Sequence, residues 1–273
     1  MVKPYELPVE DPLSGNQRRV EIAAILLQNG WYVLVRRLGL LEIIPGGWRQ
    51  RVMKQSLIED EDSGPLLPVP QAVRKTLEEL GPTFVKLGQV LSTRADLLPE
   101  SYILELKKLQ EHVTSVPWPL MEPVILQEWN TRQRLLALQN PAHPLKIAHS
   151  VHDIFSDFNT VPLAAGSLGQ AYRASILVED KAVPVIVKVQ RPGLLPVVDA
   201  DIKILKDIVG LVERTSWGKD YNFMAMVDEF ASVIRNELDF IQEAENTETI
   251  KENLSHFYSE KDIKTAQIYW DYT

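Results

Sequence analysis

The sequence predicts an α+β fold, in which helices precede a small antiparallel sheet with further helices packed against it. Two observations predict this class. Residues 17 to about 130 have the pattern of helices separated by proline breaks. From His149 onward, β-branched runs alternate with turn residues, as in short strands, and two helical segments follow. We therefore divide the chain into three predicted regions, 1–70, 71–148 and 149–273.

The bulk composition excludes several classes of protein. At 273 residues, the chain has room for one large or two modest domains. Its net charge of −8 argues against nucleic acid as the main partner, because phosphate neutralisation needs clustered Lys and Arg. The absence of cysteine excludes disulfides, thiolate zinc sites and thiol chemistry, and it fits a reducing compartment.

Region 1–70 begins without a signal-peptide layout, and no apolar run reaches the roughly 18 residues of a spanning helix. Its most apolar stretch, residues 22–35, fits either an interfacial, membrane-touching helix pair or a buried helix followed by a short strand or second helix. We favour the buried alternative because buried helices are commoner. We expect a cytoplasmic protein, with peripheral membrane attachment as the open alternative. Residues 56–70 are acidic and rich in Pro and Gly, which predicts an exposed linker.

Proline and glycine divide region 71–148 into helices. Gly81-Pro82 stops one helix and starts the next, since proline is well placed in a first helical turn. The predicted helices are residues 73–80, 83–93, 100–112 and 117–139, the last weakened by Pro123.

Region 149–273 contains the predicted sheet. Its predicted strands are residues 151–158, 169–178, 183–190 and 265–272, with a hairpin tip at residues 179–181. Its predicted helices are residues 197–214 and 224–253.

A loop of small residues precedes the third strand pattern by one strand length. It comprises Ala164, Ala165, Gly166, Ser167, Leu168, Gly169 and Gln170. Small residues let the backbone lie close to a phosphate, and Ser167 and Gln170 can add donors. Taken alone, the loop also fits an ordinary hairpin turn.

One lysine, Lys188, interrupts the β-branched run that follows the loop. Burying an ammonium in such a strand is costly unless an anion meets it, so we expect Lys188 to be buried against a carboxylate. The alternative is an edge-strand lysine that faces water. Strand alternation places Lys188 on the same face as Ile186. A phosphate loop, a strand lysine and a helix glutamate follow one another in this order in a kinase nucleotide lobe.

The predicted helical segment 236–246 is rich in carboxylates and contains no lysine, so its cations would come from elsewhere in the fold. Its acidic residues are Glu237, Asp239, Glu243 and Glu245. Asp239 and Glu243 are four residues apart, where like charges on one helix face repel unless a cation lies between them. Lys86 is one candidate cation. It shares a helix face with Gln89, and Gly88 beside them allows another element to approach closely. The alternative is a polar stripe on a surface helix.

Four motifs occur in order: Lys86-Leu-Gly-Gln89, Ala164–Gln170, Val187–Gly193, and Glu237-Leu-Asp239 with Glu243–Asn246. Together they resemble the UbiB/ADCK (AarF-type) atypical kinase family. The resemblance implies a protein-kinase-like N-terminal lobe, with a small antiparallel sheet and an αC-like helix, preceded by a helical extension.

The resemblance also implies roles for these residues. ATP and Mg²⁺ would be the cofactors, the loop and Lys188 would contact the phosphates, and Lys188 would pair with Glu243. Lys86 and Gln89 would form a regulatory contact with Glu237 and Asp239. The family implies ATPase or small-molecule kinase activity linked to isoprenoid quinone synthesis or lipid homeostasis. The implied partners are a nucleotide and either membrane lipid or quinone-pathway proteins.

The sequence departs from the family pattern in two ways. Gly166 stands where the family tends to have a third alanine, which could alter nucleotide preference. A kinase also needs a catalytic-loop Asp, a metal-binding Asn and an Asp-Phe-Gly Asp after the αC-like helix, and residues 247–273 contain none of them. We therefore expect no C-terminal lobe, no catalytic residue, no metal ligand and at most trace phosphoryl transfer in this chain. The alternative is a non-catalytic module that binds nucleotide, lipid or a protein partner.

Overall fold

The structure is a computed structural model that describes residues 15–37, 69–110, 114–140, 142, 144–213, 222–258 and 263–273. Its helices are α1 (Gly15–Gln28), α2 (Tyr32–Arg37), α3 (Pro70–Leu80), α4 (Pro82–Leu91), α5 (Glu100–Lys107), α6 (Trp118–Gln139), α7 (Leu194–Val212), α8 (Phe223–Leu238) and α9 (Phe240–Ser255). Its strands are β1 (Asp157–Phe158), β2 (Ala164–Ala165), β3 (Gly169–Val178) and β4 (Lys181–Gln190). The predicted α+β class is confirmed, while residues 56–68 of the predicted linker lie outside the described residues.

The chain forms two compact units. The first, here called the helical unit, comprises residues 1–115, 165–169 and 191–231. The second, here called the sheet unit, comprises residues 116–164, 170–190 and 232–273.

The apolar stretch 22–35 lies inside the helical unit. It forms the second half of α1 and the start of α2, and Ile22, Ala23 and Val35 are almost fully withdrawn from solvent. These side chains join one apolar cluster with residues of α3, α4, α5 and α7. The buried alternative, with a second helix, is therefore confirmed. Within the described ranges, none of the helices is both long and apolar enough to cross a bilayer.

Two glycines set the packing of α3 and α4. Gly81 has φ 95°, a conformation that glycine adopts without strain, and Pro82 starts α4 directly after it. Gly88 is buried on α4, where an added Cβ would lie 2.4 Å from Leu109 Cδ1 and 2.8 Å from Leu77 Cδ1. The predicted close approach at Gly88 is thus present, made by α3 and the 3₁₀ turn Lys108–Gln110.

A buried ion pair joins α1 to α7. Arg18 Nε donates to Asp201 Oδ1 at 2.7 Å, and Arg18 Nη2 donates to the Leu80 carbonyl at 2.6 Å. Both charged side chains are withdrawn from solvent, with side-chain exposures of 2% and 0%. Buried charges persist in proteins when they are paired and hydrogen-bonded. Arg18 therefore connects α1, α7 and the end of α3.

The sheet is built around β3, which pairs with β1, β2 and β4. Its pairing with β1 is antiparallel, with Asp157 opposite Ser175 and Phe158 opposite Ala174. The hairpin from β3 to β4 turns at Glu179 and Asp180, whose φ values of 51° and 60° are those of a tight two-residue hairpin turn. The predicted hairpin tip is therefore confirmed at Glu179 and Asp180, whereas Lys181 begins β4.

Three predicted elements differ from the structure. The strand predicted over 151–158 is a strand only at 157–158, because Ser150 and Asp153 form a capping box that makes Val151–Asp153 a 3₁₀ turn. The strand predicted over 265–272 does not form, and Trp270–Tyr272 is a 3₁₀ turn. The Arg132 guanidinium binds the carbonyls of Trp270 and Asp271 at 2.7 and 2.6 Å.

The third difference is a break in the long helix predicted over 224–253. Asp239 has φ −88° and ψ 86°, outside the helical region, and its carboxylate accepts the Gln242 backbone N–H at 2.9 Å. Asp239 therefore caps α9 instead of continuing α8.

Candidate functional site

The predicted lysine–glutamate pair is present in the sheet unit. The Lys188 ammonium on β4 donates to the Glu243 carboxylate in the first turn of α9. Lys188 Nζ also lies 4.3 Å from the centre of the Phe240 ring, within the range of a cation–π contact. Helix α9 thus supplies both contacts of the ammonium that β4 carries.

The expected burial of Lys188 is wrong. The Lys188 and Glu243 side chains are 48% and 53% exposed. The reason is the strand alternation: residues 182, 184, 186 and 188 form the exposed side of β4, while the valines between them are partly or fully buried. The ammonium therefore keeps access to solvent and to any anion that approaches from it.

A second contact connects the end of β4 to the junction between α8 and α9. Gln190 Nε2 donates to the Leu238 carbonyl at 3.0 Å, one residue before the Asp239 cap. Since Gln190 and Lys188 are on one strand, the junction and the ion pair are fixed by the same element. The predicted residues Glu237 and Asp239 lie at this junction, and both are exposed.

Gln170, at the end of the predicted loop, faces the interior of the sheet unit. Its side chain is almost fully buried, and its oxygen accepts the backbone N–H of Val116. Its amide nitrogen donates to the Val116 carbonyl and the Tyr172 hydroxyl. The Gln170 amide is therefore bonded to protein groups, and donating to a phosphate would require those bonds to open.

The central loop residues, 165–169, belong to the helical unit. The loop closes on itself through the Gly166 N–H, which donates to the Gly169 carbonyl at 2.8 Å. Neither glycine has positive φ, and a Cβ added at Gly166 would meet only Gly169 O, at 3.7 Å. The loop backbone thus has an ordinary conformation that does not require glycine at position 166.

Sequence reasoning missed the residue that holds this loop. Arg191 Nε donates to the Gly166 carbonyl at 3.0 Å, and its backbone N–H donates to the Leu168 carbonyl at 3.0 Å. Arg191 Nη2 donates to the Thr114 carbonyl at 2.7 Å. The sequence feature that could have identified Arg191 is its place in the Val187–Gly193 motif, directly after the strand that carries Lys188.

The predicted regulatory residues Lys86 and Gln89 are half-buried on α4 in the helical unit. Gln89 Nε2 donates to the Leu109 carbonyl at 3.1 Å, next to the close contact at Gly88. Their regulatory contact with Glu237 and Asp239 stays a prediction, as does the role of the loop in phosphate binding.

The described residues offer no metal site and only one cavity of note. No group of three or more His, Asp or Glu side chains among them could hold a metal ion. A cavity of about 420 Å³ in the sheet unit is lined by residues 177–179 and 268–272, so it includes none of the predicted site residues.

Comparison with known proteins agrees with the sequence motifs. Residues 144–273 match the ABC1 atypical kinase-like domain. An uncharacterized protein of Synechocystis sp. is 33% identical over 264 residues, which are 96% of this chain and 55% of the relative. The Arabidopsis thaliana chloroplastic proteins named ACTIVITY OF BC1 COMPLEX KINASE 8 and KINASE 3 are 35% and 34% identical over 204 and 202 residues. Each of these two alignments covers 74% of this chain and about a quarter of the relative, 24% and 25%. The chain therefore spans about half or less of the length of these relatives.

Proposed function

The chain belongs to the ABC1 atypical kinase-like family, and from that premise we propose that it binds ATP through Lys188 and serves in ATP-dependent phosphoryl transfer or ATP hydrolysis. The kinase-like class rests on the family match. The proposal concerns which nucleotide is bound, which reaction follows, and in which metabolic pathway the protein acts.

The observation that carries the proposal is the contact between Lys188 and Glu243. In kinase lobes, a strand lysine binds the α- and β-phosphates while a glutamate of the following helix holds it in position. An ammonium has three N–H donors, and Glu243 together with the Phe240 ring orients Lys188 while half of its side chain stays in solvent. Phosphate oxygens can therefore replace water on the remaining donors without breaking the ion pair.

The loop is assigned to the phosphates by resemblance, since small residues allow backbone N–H groups to approach an anion. Mg²⁺ bound to the nucleotide would neutralise phosphate charge. The described residues offer it no cluster of three ligands, so we assign no step to a protein-held metal.

The family resemblance sets the wider proposal. We place the activity in isoprenoid quinone synthesis or lipid homeostasis, with membrane lipid or quinone-pathway proteins as partners. Two relatives carry the name ACTIVITY OF BC1 COMPLEX KINASE, which supports a kinase-type reaction for this chain. Co-sedimentation of the full chain with liposomes would test peripheral attachment to a membrane.

A thermal-shift titration tests nucleotide binding. A ligand that binds only the folded state stabilises it by about 2.7 kcal/mol at 100 times its Kd. We expect Mg-ATP or Mg-ADP to raise the melting midpoint of the wild type progressively, and Lys188→Ala to abolish the rise. Lys181→Ala is the matched control, because Lys181 is an exposed lysine at the other end of β4. A wild type that shows no shift, or a Lys188→Ala variant that shifts normally, would contradict the proposal.

Measuring the phosphate that the same proteins release from ATP distinguishes an enzyme from a binding module. Because residues 247–273 contain no catalytic-loop Asp and no Asp-Phe-Gly Asp, we expect at most trace release from this chain. Release that disappears in Lys188→Ala and persists in Lys181→Ala indicates phosphoryl transfer or hydrolysis. Binding without release indicates that residues 1–273 act as a nucleotide-binding module.

A further inference from the structure

We propose that Arg191 is the positioning residue of the small-residue loop, holding the loop backbone so that it can receive a phosphate. The proposal rests on the proposed function, because it assigns Arg191 to the loop that would contact the nucleotide. Arg191 itself is not assigned a contact with the ligand.

Three hydrogen bonds carry the proposal, all within the helical unit. The guanidinium binds the Gly166 carbonyl through Nε at 3.0 Å and the Thr114 carbonyl through Nη2 at 2.7 Å. The Arg191 backbone N–H binds the Leu168 carbonyl at 3.0 Å. One residue therefore binds two carbonyls of the loop and also binds Thr114, which lies 77 residues before Arg191 in the chain.

The chemistry of an anion loop gives this contact a function. Backbone N–H groups attract a phosphate, whereas carbonyl oxygens carry partial negative charge and repel it. The Arg191 guanidinium offsets the charge of the Gly166 carbonyl and holds it in place, while the Arg191 backbone N–H holds the Leu168 carbonyl. Gly166 and Gly169 have no left-handed conformation that would shape the loop by itself. Hydrogen bonds hold its shape instead: those of Arg191, the bond from the Gly166 N–H to the Gly169 carbonyl, and the pairing of β2 with β3.

Arginine suits this position better than lysine. Its planar guanidinium presents several N–H donors in a fixed arrangement, so it can bind two carbonyls from two segments at once. A lysine has the same charge but a flexible stem and a point-like ammonium. Arg191→Lys should therefore keep part of the effect, and Arg191→Gln should lose it.

The first arm of the test uses the ligand-free full chain, so it does not depend on nucleotide binding. Amide hydrogen exchange would be measured at Gly166, whose N–H closes the loop on Gly169. Loss of one charge-assisted hydrogen bond corresponds to roughly a tenfold change in an opening equilibrium. We expect about tenfold faster exchange at Gly166 in Arg191→Gln and an intermediate rate in Arg191→Lys. Arg134→Gln is the control, because it removes an exposed arginine of α6, and it should exchange at the wild-type rate.

The second arm measures Mg-ATP affinity in the same four proteins. We expect about tenfold weaker binding for Arg191→Gln and a smaller loss for Arg191→Lys, because part of the binding energy must then reorder the loop. If Arg191→Gln does not fold, the comparison of Arg191→Lys with the wild type decides both arms.

Unchanged exchange at Gly166 would overturn the positioning role. If affinity also falls in that case, Arg191 contacts the ligand directly. Faster exchange with unchanged affinity would show that the bonds hold the loop but do not serve nucleotide binding, and that also overturns the proposal. A wild type that binds no nucleotide while exchange at Gly166 still depends on Arg191 would refute the proposed function and leave Arg191 as a structural clamp.

Discussion

Arg18 and Asp201 form a buried ion pair between α1 and α7, and an exposed pair, Arg19 with Asp207, joins the same two helices one residue further along α1. Burial raises the pKa of the Asp201 carboxyl, and the Arg18 guanidinium opposes that increase. The two pairs allow the effect of burial on an ion pair to be measured within one helix contact.

We expect Arg18→Met to destabilise the protein by about 3–5 kcal/mol, because it leaves the buried Asp201 carboxylate without its ion-pair partner. Asp201→Asn should cost less, because Arg18 keeps its ion pair with Glu21. Arg19→Met is the matched control and should lower the free energy of unfolding by less than about 1 kcal/mol, since exposed ion pairs contribute little to stability. Urea unfolding followed by circular dichroism measures all three. Equal costs for the two pairs would contradict the assigned burial of Arg18 and Asp201.

Glu105 should make stability depend on acid pH. The nearby ammonium of Lys108 and guanidinium of Arg74 hold the pKa of the Glu105 carboxyl below its ordinary value of 4.5. Because the folded state binds this proton less tightly than the unfolded state, the stabilisation is complete above that value and is lost as pH falls through the lowered pKa. The stability difference between wild type and Glu105→Gln should therefore shrink as pH falls below 4.5. A difference that grows on acidification would contradict this assignment.

Gly88→Ala should destabilise the protein by about 1–3 kcal/mol. Alanine is more favourable than glycine within a helix by roughly 1 kcal/mol. The alanine Cβ would, however, overlap the buried Leu109 and Leu77 methyl groups. We expect overpacking to exceed the gain in helix propensity. Thermal unfolding measures the result, and a raised melting temperature would show that the two leucines move aside at little cost.

Gly166→Ala should stabilise the protein by about 0.4–1 kcal/mol. The backbone at Gly166 does not have positive φ, and the new Cβ would make only an ordinary contact with Gly169 O at 3.7 Å. The gain arises because alanine restricts the unfolded chain more than glycine does. Denaturant unfolding would check it, and a loss of stability would mean that the loop needs the freedom of glycine.

Lys188→Ala should change stability by less than about 1 kcal/mol, because the Lys188–Glu243 pair is half exposed. A double-mutant cycle with Glu243→Gln measures the coupling directly. A small coupling together with complete loss of nucleotide binding would separate a functional lysine from a structural one. A coupling of several kcal/mol would instead place the pair in the framework of the fold.

Local sequence signals located several elements correctly. The Gly81-Pro82 stop and restart, the strand over residues 169–178 and the hairpin turn at Glu179 follow from residues that act within a few positions of themselves. The pairing of Lys188 with Glu243, which came from the family resemblance, is also present. Their half exposure was not expected, because a β-branched run does not show which face of its strand is covered.

The errors in the elements share one cause. Residues 265–272 alternate like a strand, but Arg132, more than 130 residues earlier in the chain, binds the carbonyls of Trp270 and Asp271. Residues 224–253 have the composition of one helix, but the Asp239 carboxylate caps a new one. In each case, a specific hydrogen bond decided the backbone conformation against the average propensity of the segment.

By itself, the sequence determined the α+β class, the order of the four motifs and the membership of a kinase-like family, because these depend on residue types and spacing along the chain. Only the tertiary structure decided that Arg18 would meet Asp201, that Gln170 would point into the sheet unit, and that Arg191 would hold the loop. Arg18 and Asp201 are 183 positions apart, and Gln170 and its partner Val116 are 54 positions apart. The Arg191 contact joins the loop carbonyls to an arginine beyond the next two strands. Hydrogen bonds of this kind depend on the folded backbone bringing one donor to one acceptor, which no local pattern in the chain encodes.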